Sequence, residues 1–138
     1  MEISNWVLKK YITELKFLDF SILDIIKREG LTVSNYKTLI DWEKIENKFS
    51  FFYDFIGNEE EIKKRLYSSL IFKSQKLIID IGIGYKPFEI STQLFIQNWE
   101  DFVASNGYCG IFIISLEHHL FMEFTDDENY ELLSNFYV

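Results

Sequence analysis

The feature that most constrains the fold of this chain is a change in the spacing of its apolar residues near the midpoint. In the first half, apolar residues recur three and four positions apart, which is the spacing of an amphipathic helix. In the segment KLIIDIGIG, residues 76–84, Leu77, Ile79, Ile81 and Ile83 occupy every second position, which is typical of a strand. This order predicts an α+β fold, with N-terminal helices followed by an antiparallel sheet of about four to five strands that carries one inserted helix.

The first half contains several predicted helices, each with a start or stop signal. A capping residue accepts hydrogen bonds from the free N–H groups at a helix start, and glycine favours the backbone conformation that ends a helix. The clearest helix follows Asn58, because glutamates fill its first turn and basic residues come later, as the helix dipole favours. The predictions are a helix from Ser4 to Leu18, one from Ser21 to Gly30, one from about Tyr36 to Phe55, and one from Asn58 to Leu70.

The second half is predicted to form strands around one helix. Ile71 and Phe72 are expected to form a hairpin arm before residues 76–84, and Pro87 fits a loop or a strand edge. Thr92 is expected to cap the inserted helix, which should end at Gly107. The remaining predicted strands are GIFIISL, which is apolar on both faces and therefore central, then LFMEF, and finally YELLSNF.

Length and apolar content bound the class of protein. With 138 residues, the chain is predicted to form one domain, residues 1–138. Its single cysteine permits no intrachain disulfide. The N-terminal residues lack the apolar run of a signal peptide, and the longest apolar runs are too short to cross a bilayer. We therefore expect a soluble cytoplasmic protein that does not enter a membrane.

Charge is divided unequally between the two halves. Residues 1–75 hold 12 basic and 12 acidic residues, whereas residues 76–138 hold 2 basic and 10 acidic residues, so the net charge of −8 falls entirely in the second part. Asymmetry of this kind indicates an interaction surface. It opposes nucleic-acid binding, which needs a basic face, because the basic residues at 63–65 are balanced by the glutamates at 59–61.

The sequence lacks the usual motifs of catalysis and metal binding. His118 and His119 are adjacent, so in an extended segment they point to opposite faces and do not readily share a metal. Cys109 begins an apolar strand, where burial raises the pKa of a thiol and makes it unreactive. We therefore predict no enzyme activity, no metal and no cofactor. The abundant carboxylates leave a small carboxylate-dependent hydrolase as an alternative.

Acidic and aromatic residues are concentrated in the segment LFMEFTDDENYELLSNF, residues 120–136, with no basic residue among them. A surface of one sign attracts a protein of the opposite sign and speeds its association. Exposed tyrosines supply the desolvated contacts that stabilise an interface. The predicted acidic face consists of Glu123, Asp126, Asp127, Glu128 and Glu131 in this segment, Glu100, Asp101 and Glu117 nearby, and the aromatic residues Tyr108, Tyr130 and Tyr137.

The size, the pI near 4.7, the α+β order and the pattern NWEDFVASNGYCGIFIISLEHHLFMEFTDDENYELLSNF resemble the immunity proteins of bacterial contact-dependent growth inhibition and related polymorphic toxin systems. The resemblance covers residues 98–136. It implies a cytoplasmic, non-enzymatic antitoxin that binds one cognate toxin domain, expected to be a basic nuclease, and blocks or occludes its active site. The protein is expected to be a monomer or a homodimer. A further alternative is an adaptor or homodimer whose last strand pairs edge to edge with a second copy.

Overall fold

The computed structural model of the protein describes residues 5–34, 37–53, 57–82, 84–106, 110–125 and 130–138. Within these ranges it is an α+β protein, which confirms the predicted class, but its antiparallel sheet has seven strands and is larger than predicted. The helices are α1 (Trp6–Lys10), α2 (Ile22–Arg28), α3 (Glu59–Ser68), α4 (Thr92–Gln97) and α5 (Trp99–Ala104). The strands are β1 (Lys16–Phe17), β2 (Phe49–Phe52), β3 (Lys76–Asp80), β4 (Phe88–Ser91), β5 (Ile111–Ser115), β6 (Leu120–Phe124) and β7 (Glu131–Ser134).

The strands lie in the order β1-β4-β3-β5-β6-β7-β2, and every neighbouring pair is antiparallel. Strand β5 is central and buried at every position, as its continuous apolar sequence predicts. Strand β7 is paired on both sides, with β6 and with β2. The last strand is therefore not an edge, and the idea that it pairs edge to edge with a second copy is wrong.

The predicted helix from about Tyr36 to Phe55 is wrong. Trp42–Lys44 forms a single 3-10 turn, and Phe49–Phe52 is the edge strand β2. Helical spacing in this stretch was outweighed by pairing with β7, because the run FSFF is rich in aromatic side chains that suit a half-buried sheet surface. Tertiary pairing decided between two patterns that fit the same short sequence.

Other boundaries differ from the prediction as well. The first helix ends at Lys10 rather than continuing to Leu18, because Lys16 and Phe17 pair with β4. Its cap is Asn5, whose side chain accepts from the N–H groups of Val7 and Leu8, while Ser4 lies outside the described residues. The second helix is confirmed. Ser21 caps α2 and forms a reciprocal capping box with Asp24.

The hairpin arm predicted at Ile71 and Phe72 is also wrong, since these residues lie in a 3-10 turn, Leu70–Lys73. The partner of β3 on that side is β4, immediately after Pro87. The inserted helix is present but is capped by Ser91 rather than Thr92, and Asn98 divides it into α4 and α5. The predicted stop at Gly107 lies outside the described residues.

The sheet is covered on both faces. On one side, called here the helix face, the core contains buried residues of α1, α3, α4 and α5 packed on alternate strand positions such as Ile79, Ile113 and Phe124. On the other, called the loop face, Ile78, Phe112 and Phe121 pack against α2 and against residues 31–45. Residues 31–45 are named here the covering segment. Their regular structure, among the positions described, consists of an isolated bridge and a 3-10 turn. In the described part of the chain, no helix has the length and apolar character needed to span a membrane.

Candidate functional site

Glu123 lies on the loop face of β6 and is only 5% exposed. Its Oε2 accepts a hydrogen bond of 2.6 Å from the Leu39 backbone N–H, and its Oε1 accepts one of 2.9 Å from Trp42 Nε1. The prediction that Glu123 belongs to an exposed acidic face is therefore wrong. Alternation along β6 correctly places Glu123 on the opposite face of the strand from Met122 and Phe124. That face does not meet solvent, however, because the covering segment packs over it.

Asp80 occupies the same face two strands away, because it pairs with Phe112 and Phe112 pairs with Glu123. Burial is the main cause that raises the pKa of Glu123, to about 7, while the N–H groups of Trp42 and Leu39 act in the opposite direction and Asp80 adds a smaller upward effect. Burial also raises the pKa of Asp80, against a hydrogen bond from the Gly82 N–H. Two carboxyl groups with raised pKa values thus share one face of the sheet.

Two cavities meet at Asp80. The smaller has a volume of about 250 Å³ and is lined by Asp80, Glu123 and Asn106 among others. The larger has a volume of about 520 Å³ and extends from Asp80 toward Tyr85 and α2. Asp80, Leu39 and Gly82 line both cavities, so the Asp80 carboxylate lies where the two spaces adjoin.

Asn106 contributes an unusual polar group to the smaller cavity. Its Nδ2 donates to the carbonyl oxygens of Ile81, at 2.8 Å, and Gly110, at 3.3 Å. Its Oδ1 is buried and has no hydrogen-bond partner among the described residues. Buried polar atoms are normally paired, so this oxygen is a free acceptor beside the two carboxyl groups. Among the residues that the structure describes, no group of three or more His, Cys, Asp or Glu side chains is placed to hold a metal ion.

Asp80 and Asn106 were not among the residues predicted to be functional. A signal for Asp80 exists in the sequence, because it is the one charged residue inside the apolar run LIIDI. An acidic residue inside a strand either faces solvent or is buried with a functional or structural role, and the alternation of apolar residues does not distinguish the two cases. Asn106 follows a helix end and has no comparable signal.

The predicted acidic face is divided by the fold, and one part of it lies at the start of α5. Asp101 is not free there, since its Oδ2 accepts from Lys10 Nζ at 3.0 Å and from the Tyr11 hydroxyl at 2.7 Å. Glu100 lies close enough to Glu59 and Asp101 for both negative charges to raise its pKa, with burial as the largest cause. Glu59 belongs to the first turn of α3 and was expected to serve only the helix dipole.

The starts of α3 and α5 are held together by Trp99, whose Nε1 donates to the Glu59 carbonyl oxygen at 3.2 Å. This contact gathers acidic residues from two helices. We call this group the helix-start cluster, and it consists of Glu59, Glu60, Glu61, Glu100 and Asp101. Its partial compensation comes from Lys10 on Asp101 and from Lys63, which pairs with Glu60 at 3.3 Å.

Tyr130 is connected to the helix-start cluster through contacts between aromatic rings. The Trp99 ring stacks on Phe124 at 5.7 Å, Tyr53 packs edge-on against both rings, and the Tyr53 and Tyr130 ring centroids are 5.9 Å apart. Tyr130 keeps 38% of its surface exposed. Glu131 is half-buried beside it, opposite Phe52 of the edge strand.

Other members of the predicted face are elsewhere or outside the described residues. Glu117 is in the β5–β6 turn, where it accepts from the Gln75 N–H at 2.9 Å. Ser115 pairs with Leu120 at that end of the hairpin, and Ile111 pairs with Phe124 at the other, so Glu117 is a strand length away from Glu131. Tyr137 is exposed and packs against Phe49 on the edge strand. Asp126, Asp127, Glu128 and Tyr108 lie outside the described residues, as does Cys109.

No protein-family model, no curated protein and no solved structure matches this chain.

Proposed function

We propose that this protein is a cytoplasmic immunity protein that binds a cognate basic toxin domain, such as a nuclease, and neutralises it by occluding its active site. The observation that carries the proposal is the helix-start cluster, where acidic residues from two helices are brought together, with the partly exposed Tyr130 ring connected to the cluster through Tyr53 and Trp99. The resemblance of residues 98–136 to immunity proteins gives the partner its class. The net charge of −8, all of it from residues 76–138, favours a partner with a positively charged surface.

Crowded negative charge at the helix-start cluster favours a cationic partner. Burial is the largest cause that raises the pKa of Glu100, and the charges of Glu59 and Asp101 raise it further, against an opposing effect of Lys63. The Glu100 carboxylate is therefore repelled by two neighbouring carboxylates in the unbound protein. A basic surface placed over them relieves this repulsion and also attracts the partner before contact. Lys10 pairs with Asp101, and Lys63 pairs with Glu60 and lowers the pKa of Glu100, so these two lysines offset part of the charge of the five carboxylates.

Aromatic surface supplies the second requirement of a stable interface. Tyr130 is partly exposed and packs against Tyr53, which in turn packs edge-on against the stacked rings of Trp99 and Phe124. A rigid tyrosine with an exposed edge loses little conformational freedom on binding and is therefore an effective anchor. An interface of about 1,600 Å² in total is typical for such complexes. It would extend over the helix-start cluster and Tyr130.

The experiment starts from the genomic neighbourhood, because an immunity gene lies beside its toxin. The C-terminal domain of the neighbouring toxin is purified, and its binding to this protein is followed by surface plasmon resonance at several salt concentrations. We expect the association rate to fall as salt rises, because long-range attraction between exposed charges is screened. Protection of growing cells against the expressed toxin domain supplies the functional readout.

The matched variants compare two pairs of glutamates. Replacing Glu59 and Glu100 by Gln removes charge from the helix-start cluster, and we expect the association rate to fall roughly fivefold. Replacing Glu43 and Glu46 by Gln removes the same charge from exposed positions of the chain outside the cluster and should leave the rate within about twofold. Equal effects of the two double variants would show that only total charge matters. Absence of binding to the neighbouring toxin domain would contradict the proposed function.

A second candidate function is carboxylate-dependent hydrolysis, which is favoured by the pair Asp80 and Glu123. Both pKa values are raised and both residues line the cavity of about 250 Å³, an arrangement that suits a general acid beside a carboxylate. Turnover of a panel of nitrophenyl esters and glycosides provides the test. Activity that is lost in Asp80→Asn and retained in Glu89→Gln supports the hydrolase. Absence of turnover across the panel at every pH counts against it.

A further inference from the structure

The larger cavity, of about 520 Å³, opens between the end of β3, the loop that precedes β4 and the start of α2. Its walls are mainly apolar and aromatic, and Asp80 is the acidic residue at the strand end that forms its inner side. Two wall residues, Phe20 and Leu23, are large apolar side chains that remain 38% and 48% exposed. Among the described residues, no member of the predicted acidic face lines this space.

Asp80 has no cationic partner in the described part of the chain. No ion pair with Lys, Arg or His is formed there, and the contact that stabilises its charged form is the N–H of Gly82. Burial raises its pKa, which means that the unbound protein holds this charge at an energetic cost. Glu123, on the same face of the sheet, adds a second carboxyl group. Lys37 also lines the smaller cavity, but it is not among the causes that shift the pKa of Asp80 or of Glu123.

The other two charged residues that line the cavity carry opposite charges and lie close to each other. Lys86 Nζ lies 3.7 Å from Asp19 Oδ1, and both side chains are exposed. The start of α2 is already satisfied, because Ser21 and Asp24 complete a capping box. The charge of Asp80 is therefore the one left uncompensated among the described groups that line the cavity.

We propose that this cavity receives a cationic group on an apolar stem, the guanidinium or ammonium of an arginine or lysine side chain of the partner protein, with Asp80 accepting its N–H groups. The identification of the carrier rests on the proposed function, since a basic partner presents such side chains. A guanidinium also stacks on aromatic rings and is weakly hydrated, so it suits the ring of Tyr85 and the apolar walls.

The exposed rim favours a protein carrier over a free small cation. Phe20 and Leu23 line the cavity and remain 38% and 48% exposed, so they also offer apolar surface to a protein that surrounds the inserted group. A partner surface that inserts one side chain would cover both residues. Buried, paired charges surrounded by apolar contact are typical of the residues that dominate binding energy. The cationic chemistry is the same for either source, and the experiment separates them.

The first arm of the test uses n-butylguanidinium and its neutral analogue n-butylurea as probes. Each is titrated into the isotopically labelled protein, and amide shifts in two-dimensional NMR spectra report where it binds. We expect n-butylguanidinium to shift residues around Asp80 and Leu39 with a weak, millimolar affinity, and n-butylurea to bind at least roughly tenfold more weakly. Equal shifts from both probes would overturn the role of charge. Shifts confined to the helix-start cluster would overturn the site.

Two variants make the assignment to Asp80 specific. Asp80→Asn retains an oxygen acceptor for the Gly82 N–H, so the fold is preserved, but we expect it to bind n-butylguanidinium roughly tenfold or more weakly. Glu89→Gln removes a half-buried carboxylate that lies on the neighbouring strand, pairs with Lys76 and is outside this cavity. It should bind the probe as the unmodified protein does. Unchanged binding by Asp80→Asn overturns the proposal.

The second arm uses the toxin domain itself. Asp80→Asn should weaken the complex roughly tenfold or more, mainly through faster dissociation, whereas charge removal at the helix-start cluster slows association. If the toxin binds normally to Asp80→Asn, the cavity is not part of the interface, and the proposed function stands without it. If no toxin binds but the guanidinium probe does, the cavity is a cation site and the proposed function fails. Failure of both arms rejects the cavity as a cation site.

Discussion

The two faces of the sheet are covered in different ways. On the helix face, α1, α3, α4 and α5 supply apolar side chains, and rings such as Phe102 and Trp99 are fully buried among other rings. On the loop face, α2 covers part of the sheet and the covering segment covers the rest, with Glu123 fastening that segment through two hydrogen bonds. One layer is held by apolar area and the other also depends on a buried carboxyl group.

The comparison shows what irregular backbone requires when it lies on a sheet. A helix satisfies its own N–H groups, so it can cover a sheet with side chains alone. The covering segment has free N–H groups, such as that of Leu39, which must find an acceptor on the sheet. Glu123 provides this acceptor, and its pKa is raised because burial disfavours the charged carboxylate.

The largest expected effect tests the helix face. Phe102→Ala removes a fully buried ring that stacks on Tyr11 at 5.2 Å and contacts Phe95, so the free energy of unfolding should fall by about 4 kcal/mol. Urea unfolding followed by circular dichroism measures the change. Phe52→Ala, at a position that is 66% exposed, is the control and should lose less than about 1 kcal/mol. Similar losses at the two positions would contradict the packing described.

The next effect concerns the pH dependence of the loop face. The pKa of Glu123 is raised from 4.5 to about 7 in the folded protein, so the folded state binds a proton more tightly than the unfolded state. Its contribution to stability is therefore complete at low pH and is lost as pH rises from about 4.5 through 7, by about 3 kcal/mol in total. Unfolding free energies measured against pH should show this loss relative to Glu123→Gln. Parallel pH curves for the two proteins would contradict it.

A smaller effect is expected when the anchor itself is removed. Glu123→Ala leaves the N–H groups of Leu39 and Trp42 without acceptors, which should reduce the free energy of unfolding by about 2 kcal/mol. Glu117→Ala is the matched control, because Glu117 also accepts a backbone N–H, from Gln75, but is exposed; it should lose less than about 0.5 kcal/mol. Hydrogen exchange should locate the damage in residues 37–45. Exchange that increases equally on the helix face would contradict a local anchor.

The smallest effect tests the coupling between the two carboxyl groups. Asp80 raises the pKa of Glu123, so Asp80→Asn should lower that pKa below about 7. It should also increase the free energy of unfolding at neutral pH by about 1 kcal/mol, because a buried charge without a cationic partner is removed. Carbon-detected NMR titration of the Glu123 carboxyl group measures the first change and urea unfolding the second. Glu89→Gln is the control and should leave both the pKa of Glu123 and the free energy of unfolding unchanged. If Glu89→Gln lowered the pKa of Glu123 as much as Asp80→Asn does, Asp80 would not be the cause.

Much of the fold was predictable because local patterns were clear. Strands β3, β5, β6 and β7 follow from alternation or continuous apolar runs, and α2 follows from its cap. Strand β4, Phe88–Ser91, was missed, and so were the two edge strands, since Lys16–Phe17 is too short to show a period and Phe49–Phe52 also fits a helical spacing. Both acquire their conformation from a partner strand far away in the sequence.

The candidate sites were predictable only in part. The excess of acidic charge in the second half was evident, whereas the ring contacts that connect Trp99, next to Glu100, with Tyr130 through Tyr53 were not. The contribution of Glu59 was not evident, because the Trp99 hydrogen bond joins segments 40 residues apart. The burial of Glu123 and the cavity at Asp80 were not evident either, since they depend on where the covering segment lies.

By itself, the sequence determined the α+β class, the central strands and the sign of the charge, because these follow from residue spacing and composition. Only the tertiary structure decided which carboxylates meet water. Alternation along a strand divides its residues into two faces, but it does not say whether each face is covered. That outcome depends on contacts between distant segments, such as Leu39 and Trp42 with Glu123, whose energies are absent from any short stretch of sequence.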